Sequence, residues 1–139
     1  MAPMLRAAAA FLFVLLTTLP ASAQAPDASE MLYLSACFVR ATGDTKGQAL
    51  QITRAPGGYT FMFQDFRGYP RPPEPATGQI AGNRITFDAR VVGLPVHFEG
   101  TITAQDIKGH FSNAENDSRY LMDVQWQIWP IGKLMPDCK

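Results

Sequence analysis

Residues 77–112 read TGQIAGNRITFDARVVGLPVHFEGTITAQDIKGHFS, and the fold class is predicted from these residues first. Apolar and polar residues alternate along most of it, as they do in strands that bury one face. Gly82-Asn83 stands between Ile80 and Ile85, and such a pair supplies the positive φ that a primed two-residue hairpin turn needs. The stretch therefore predicts four short antiparallel strands joined by three tight turns.

A second turn of this kind at Ala104-Gln105 fixes the register of the strands around it. It predicts these facing residues: Ile102 with Ile107, Gly100 with Gly109, and Phe98 with Phe111. Because successive side chains of a strand point to opposite faces, all of these residues then share one face, toward a core.

Further strands are predicted on both sides of this stretch. Alternating patterns indicate strands at residues 48–54, 59–66 and 119–129. Residues 31–41 are apolar nearly throughout, and we interpret them as a strand, with a short helix as the alternative. Residues 68–75, GYPRPPEP, predict an extended, stiff surface loop, because proline cannot donate a hydrogen bond to a ladder.

The fold class follows from about eight strands with short connections and no convincing helix. It is an all-β, up-and-down antiparallel meander that closes into a small barrel, with a β-sandwich as the alternative. The barrel is favoured because closure removes the exposed strand edges of a flat meander. The rhythm of strands and turns resembles that of calycin-type barrels in general, so we expect a calycin-like barrel.

The N-terminal residues 1–23 have the layout of a signal peptide. Arg6 precedes the apolar residues 7–19, and Ala21-Ser22-Ala23 is a small-residue cleavage pattern. The apolar run is shorter than the roughly 20 residues that span a bilayer, so no stable membrane anchor is expected. Residues 24–139 then form a single domain that is periplasmic or secreted.

Cys37 and Cys138 are the two cysteines of the chain. In an exported chain, such an even pair predicts a disulfide, which would tie the first element to the C-terminal tail where the barrel closes. Acidic and basic side chains balance at 12 each, which argues against nucleic acid as a partner. No cofactor is expected, because no cofactor-binding motif stands out.

The outward face of the predicted hairpin brings two imidazoles and a carboxylate together. Glu99 lies opposite His110, and His97 precedes Glu99 by two residues on the same face. Such a set can hold a zinc ion. The alternative is a solvated polar surface with an ordinary cross-strand pair. No motif of an acid-base pair or a nucleophile identifies catalytic residues.

Aromatic side chains dominate the predicted interior; they are Phe61, Phe63, Phe87, Phe98, Phe111, Tyr120 and Trp126. They form either a filled core or the lining of a ligand-binding cavity, because an eight-stranded barrel is just wide enough for one small ligand. Gly100 and Gly109 carry no side chain, which favours a cavity at this position.

Three functions are compatible with this fold. The first is a non-enzymatic exported binding protein whose barrel takes a small apolar ligand or a partner's loop. The second is a protein inhibitor of a secreted or envelope enzyme, which would insert the stiff loop that carries Tyr69 and Arg71. The third is a small metal-dependent hydrolase built on His97, Glu99 and His110. The sequence favours the first and leaves the ligand, the partner and the oligomeric state open.

Overall fold

The computed structural model describes residues 29–69, 71–113 and 122–139. The strands in these residues are β1 (Glu30–Leu34), β2 (Cys37–Val39), β3 (Asp44–Ala55), β4 (Gly58–Arg67), β5 (Glu74–Ala81), β6 (Arg84–Val91), β7 (Leu94–Ile102), β8 (Asp106–Ser112) and β9 (Met122–Trp129). No helix in this part of the chain is long and apolar enough to cross a membrane. The predicted signal peptide, residues 1–23, lies outside the described residues.

Eight of the strands close into an antiparallel barrel. Strands β3 to β8 each pair with the next strand in the chain, and β1 pairs with both β9 and β3. The extra strand β2 pairs with β3 beyond β1. The predicted up-and-down meander and its closure are therefore confirmed, and the sheet is one closed barrel, not a sandwich.

The connections alternate between the two ends of the barrel, because neighbouring strands are antiparallel. The end that we call the Tyr69 end carries the β2–β3, β4–β5 and β6–β7 connections. The opposite end, called the Gly82 end, carries the β3–β4, β5–β6 and β7–β8 turns. The loop that carries Tyr69 and the turn between β6 and β7 therefore lie at the same end of the barrel.

The apolar residues 31–41 form strand, as the preferred interpretation predicted. Both β1 and β2 pair with β3, and Ser35 and Ala36 interrupt them. A Cβ added to Gly47 of β3 would lie only 2.7 Å from Ala36 Cα, so this interruption requires glycine opposite it.

The predicted register of the central stretch is confirmed. Ile80 faces Ile85, and the three pairs across β7 and β8 are Phe98 with Phe111, Gly100 with Gly109, and Ile102 with Ile107. A slip by one residue would turn every apolar side chain of a strand toward water, so the apolar pattern fixes this register.

Two connections differ from the prediction. Ala104-Gln105 forms the β7–β8 turn, but neither residue has a positive φ; the Thr103 hydroxyl accepts hydrogen bonds from the backbone N–H groups of Gln105 and Asp106 instead. The predicted primed turn is therefore wrong in type, although its position is right. The proline-rich loop is also shorter than predicted, because residues 74–75 already belong to β5.

The barrel encloses one apolar core. Its largest fully buried side chains are Trp126, Tyr33, Phe87, Phe98 and Phe111. The Tyr33 hydroxyl donates a hydrogen bond of 2.7 Å to the backbone oxygen of Thr103. Burial, reinforced by the nearby Asp106 carboxylate, raises the pKa of Tyr33 to about 12. The phenol therefore stays neutral over the whole physiological range.

The predicted disulfide between Cys37 and Cys138 is confirmed, with the two sulfur atoms 2.03 Å apart. It joins the extra strand β2 to the C-terminal tail, whereas the barrel closes through β1. The expectation that the bond lies where the barrel closes is therefore wrong. The tail, through Met135, instead covers a second small apolar cluster, formed by Leu34, Ala36, Ala49 and Phe66.

Candidate functional site

The barrel interior contains six of the seven aromatic residues predicted there: Phe61, Phe63, Phe87, Phe98, Phe111 and Trp126. The seventh, Tyr120, lies outside the described residues. The Phe98 ring lies among them, with the centroids of three other rings at 4.9 to 5.1 Å. These spacings are those of directly packed aromatic rings. The rings therefore pack against one another in the middle of the barrel.

The room expected between Gly100 and Gly109 is occupied. A Cβ added to Gly100 would collide with the Lys108 backbone oxygen and lie 2.9 Å from two ring carbons of Phe98. One added to Gly109 would collide with the Glu99 backbone oxygen and with the same ring. The two glycines therefore allow the backbones of β7 and β8 to lie close together under the Phe98 ring, so the predicted cavity is wrong at this position.

The Nε1 atom of Trp126 is buried in the same core without a hydrogen-bond partner among the described residues. A buried donor of this kind costs about 1–3 kcal/mol.

The two histidines of the outer face pair with different carboxylates. His97 Nδ1 lies 2.7 Å from Oδ1 of Asp88, and His110 Nδ1 lies 2.9 Å from Oδ1 of Asp123. In both cases the partner is the facing residue on the neighbouring strand. Each imidazole is thus oriented by its own aspartate.

Glu99 forms a hydrogen bond with Arg84 and not with either histidine. It faces His110 in the register, as predicted, but its carboxylate accepts a hydrogen bond of 2.9 Å from Arg84, and His97 Nε2 lies 4.0 Å away from it. Within residues 29–69, 71–113 and 122–139, no three His, Cys, Asp or Glu side chains come together as metal ligands. The structure therefore does not gather His97, Glu99 and His110 into a ligand set. These exposed pairs each contribute about 0–1 kcal/mol to stability.

The predicted partner-binding loop carries the most exposed aromatic ring of the described residues, Tyr69, whose exposed fraction is 59%. The Arg71 guanidinium lies 5.7 Å from the centroid of this ring and donates a hydrogen bond of 3.4 Å to its hydroxyl. The side chain of Gln64 donates to the backbone oxygen of Arg71 and so anchors the loop to β4. Tyr69 and Arg71 are therefore held together on the surface.

Val92 was not identified by the sequence reasoning. Val92-Gly93 is the two-residue turn between β6 and β7, and Val92 has a φ of 52°. A β-branched residue is strained in this left-handed region. Val92 is nonetheless 46% exposed, so its side chain gains little from burial. The sequence signal was the absence of Asn, Asp or Gly at the first position of a two-residue turn.

An open groove lies between the β2–β3 hairpin and the C-terminal tail, also missed by sequence reasoning. It has a volume of about 740 Å³ and is lined by Phe38, Arg40, Thr45, Leu134, Met135, Pro136 and Asp137. An ion pair of 2.7 Å between Arg40 and Asp137 links its two walls. Leu134, one of the lining residues, is 88% exposed.

Compared with protein-family models, curated proteins and solved structures, the chain matches none. The function must therefore be argued from the geometry of its own residues.

Proposed function

We propose that this chain is an exported, non-enzymatic binding protein that recognises a protein partner with the Tyr69 end of its barrel. The observation that carries the proposal is the exposed Tyr69-Arg71 pair on an anchored loop. Tyrosine and arginine are among the residues that contribute most to binding at protein interfaces.

The packed interior favours a surface site over a cavity for a small apolar ligand. The space beside Gly100 and Gly109 holds the Phe98 ring, so a ligand at this point would have to displace packed aromatic side chains. Close-packed interiors resist such insertion. Of the two forms of the binding hypothesis, recognition of a partner protein is therefore better supported.

The loop is suited to insertion into a groove of its partner. Pro72 and Pro73 follow Arg71 and restrict the backbone, while the bond from Gln64 holds the loop to the barrel. A preorganised loop loses less conformational entropy when it docks, which leaves more of the contact energy for affinity. An enzyme of the secreted or envelope fraction, inhibited by this loop, is the partner that this geometry fits best.

The turn at Val92 extends the proposed surface. Val92 and Leu94 are exposed apolar residues at the same end of the barrel as Tyr69. Backbone strain at an exposed residue is kept where the residue has a function that outweighs its cost in stability. We assign Val92 to the partner contact for this reason.

Export is part of the same proposal. It rests on the signal-like layout of residues 1–23, and the Cys37–Cys138 disulfide agrees with it, because such bonds persist in oxidising compartments.

The proposal is tested by capturing partners from the secreted and periplasmic fractions of the source cells. Immobilised protein is compared as wild type, Tyr69→Ala and Arg71→Ala, and bound proteins are quantified by mass spectrometry. Ile131→Ala is the matched control, because Ile131 is 58% exposed, almost the same fraction as Tyr69, and lies in the C-terminal tail.

We expect a captured protein whose recovery falls about tenfold or more in Tyr69→Ala and Arg71→Ala, as for residues that dominate an interface. The Ile131→Ala control should retain it. Recovery that is unchanged in both loop variants would contradict the proposal.

A further inference from the structure

The seam between β4 and β5 is only partly paired. The ladder between β4 and β5 consists of three pairs and ends at Phe61 with Ala76, although both strands continue toward the Gly82 end. By comparison, β4 pairs with β3 as far as Gly58. The same register would place Thr60 opposite Thr77, yet these residues do not pair. Beyond Phe61 and Ala76, the two strands therefore diverge.

An open cleft of about 420 Å³ lies where the two strands diverge. We call it the seam cleft; its lining is Ala55, Pro56, Gly57, Gly58, Tyr59, Thr60, Gly78, Gln79 and Ile80. It is distinct from the Tyr69 end, because the β3–β4 turn belongs to the Gly82 end. One wall is thus the start of β4 with the turn before it, and the other is the second half of β5.

The walls of the seam cleft expose backbone, and its floor is apolar. A Cβ added to Gly57 or Gly58 would meet no atom within 4 Å, so no side chain fills the space beside this turn. Tyr59 and Ile80 pack against the barrel core from within the cleft. The Arg54 guanidinium lies 5.8 Å from the centroid of the Tyr59 ring and helps to hold it in place.

We propose that the seam cleft binds an extended peptide segment, which adds as a strand to the edge of β5 that β4 leaves unpaired. Residues 77–81 pair with β6 along their other edge, so their backbone is already held in strand conformation. An added strand would satisfy the opposite edge with backbone hydrogen bonds, the mode known as β-augmentation. At a rise of about 3.3 Å per residue, this edge pairs with four or five residues of the peptide.

The lining also defines the composition of the peptide. None of the lining residues is acidic or basic, and the guanidinium of the nearby Arg54 is already held by the Tyr59 ring and hydroxyl. A charged side chain entering the cleft would therefore lose hydration with little compensation from an opposite charge. Alternate residues of the segment would face Tyr59 and Ile80, since strand side chains alternate between faces. The expected ligand is therefore an uncharged segment, free of proline and rich in β-branched or aromatic residues.

The experiment closes the seam covalently. In the oxidised variant Thr60→Cys/Thr77→Cys, a disulfide would draw β4 and β5 together across the cleft. The matched control is Thr53→Cys/Thr60→Cys, which carries a cysteine at the same position 60 but links β4 to its existing partner on β3. Peptide mapping verifies that Cys37–Cys138 is retained in both variants.

The probe is a displayed library of random seven-residue peptides, selected on each immobilised protein. We expect wild type and the Thr53/Thr60 control to enrich uncharged, β-branched sequences, and the Thr60/Thr77 variant to bind a synthetic copy of the best one at least about tenfold more weakly. The bound peptide should also slow hydrogen exchange of the backbone amides in residues 77–79.

Equal binding by the cross-linked variant, enrichment of charged or proline-rich peptides, or unchanged exchange at residues 77–79 would each overturn the proposal. Dimers of the wild type that the cross-link abolishes, with no peptide enriched, would also overturn it, because a second copy would then occupy the cleft. The site is independent of the proposed function, so Tyr69→Ala should bind the selected peptide as wild type does.

Discussion

Replacement of Val92 by asparagine isolates the strained turn at the Tyr69 end. An L-residue in the left-handed region costs about 1–2 kcal/mol, and asparagine is one of the residues that tolerates it. Because about half of Val92 is exposed, losing its apolar contacts costs at most about 1 kcal/mol. The expected balance is a gain of about 0.5–1 kcal/mol in the free energy of unfolding, since the relieved strain outweighs the lost contacts.

Urea unfolding, followed by the fluorescence of Trp126 and Trp129, measures this gain. We expect a higher midpoint with an unchanged slope, and a Tm higher by roughly 2–6 °C. Val92→Ala is the control, because it removes most of the same side chain but keeps much of the free-energy cost of a left-handed backbone at this position. A midpoint for Val92→Asn below that of Val92→Ala would refute the strain argument.

The same variant tests why the strain is kept. If Val92 contacts the partner, Val92→Asn should recover less partner in the capture experiment although it is the more stable protein. Full recovery by a stabilised Val92→Asn would remove Val92 from the proposed surface while leaving Tyr69 and Arg71 in it.

Three further predictions concern the core, the disulfide and pH. Gly109→Ala should destabilise the barrel by roughly 1–3 kcal/mol, because its Cβ collides with the Glu99 backbone oxygen as well as with the Phe98 ring. Phe98→Leu in the same protein relieves only the contact with the ring, so the combined loss should be only slightly smaller than the sum of the two single losses, as urea unfolding would show. Cys138→Ser should lower the free energy of unfolding by about 2–5 kcal/mol, and the backbone amides of the C-terminal tail should then exchange hydrogen faster than those of the barrel. Equal exchange rates in the tail and the barrel would contradict the role of the disulfide in holding the tail. Folding raises the pKa of Tyr33 from 10.0 to about 12, so the folded state holds the phenol proton more tightly than the unfolded state does. The resulting contribution to the free energy of unfolding is fully present below pH 10 and is lost as the pH rises toward 12. Wild type, unlike Tyr33→Phe, should therefore lose roughly 2–3 kcal/mol between pH 9 and 12, and parallel losses in both proteins would rule out this assignment.

The sequence predicted the barrel because its strands each bury one face. Alternation between Ile80 and Phe111 left one register in which most apolar side chains of the strands point inward, and the structure has that register. The disulfide was predictable from the count of cysteines, but its place was not. Sequence alone does not show that β2 is an extra strand outside the closed barrel, so Cys37 was assigned to the closing seam.

The candidate sites were less predictable, because they depend on distances that periodicity does not contain. Gly100 and Gly109 were known to face inward, but whether a neighbouring ring fills the space depends on the rotamer of Phe98. The pairing of Glu99 with His110 was right, yet Arg84 and Asp123 compete for these side chains and no ligand set forms.

The turn between β6 and β7 was predicted but its strained residue Val92 was not, and the seam between β4 and β5 was not found at all. Propensity rules place asparagine or glycine in such a turn, so a valine there gives no positive signal. The seam opens where the ladder stops at Phe61 and Ala76, and nothing in the alternation of either strand marks that point. Both features are departures from regular geometry, which sequence patterns describe least well.

We infer that the barrel interior is filled by its own aromatic side chains and that binding occurs on the surface. A native mass spectrum of the protein purified from its source cells tests both parts of this inference. We expect the mass of the chain with its disulfide, alone or with a bound protein, and no small-molecule adduct. An apolar small molecule that remains bound in the native spectrum and is released on unfolding would contradict it.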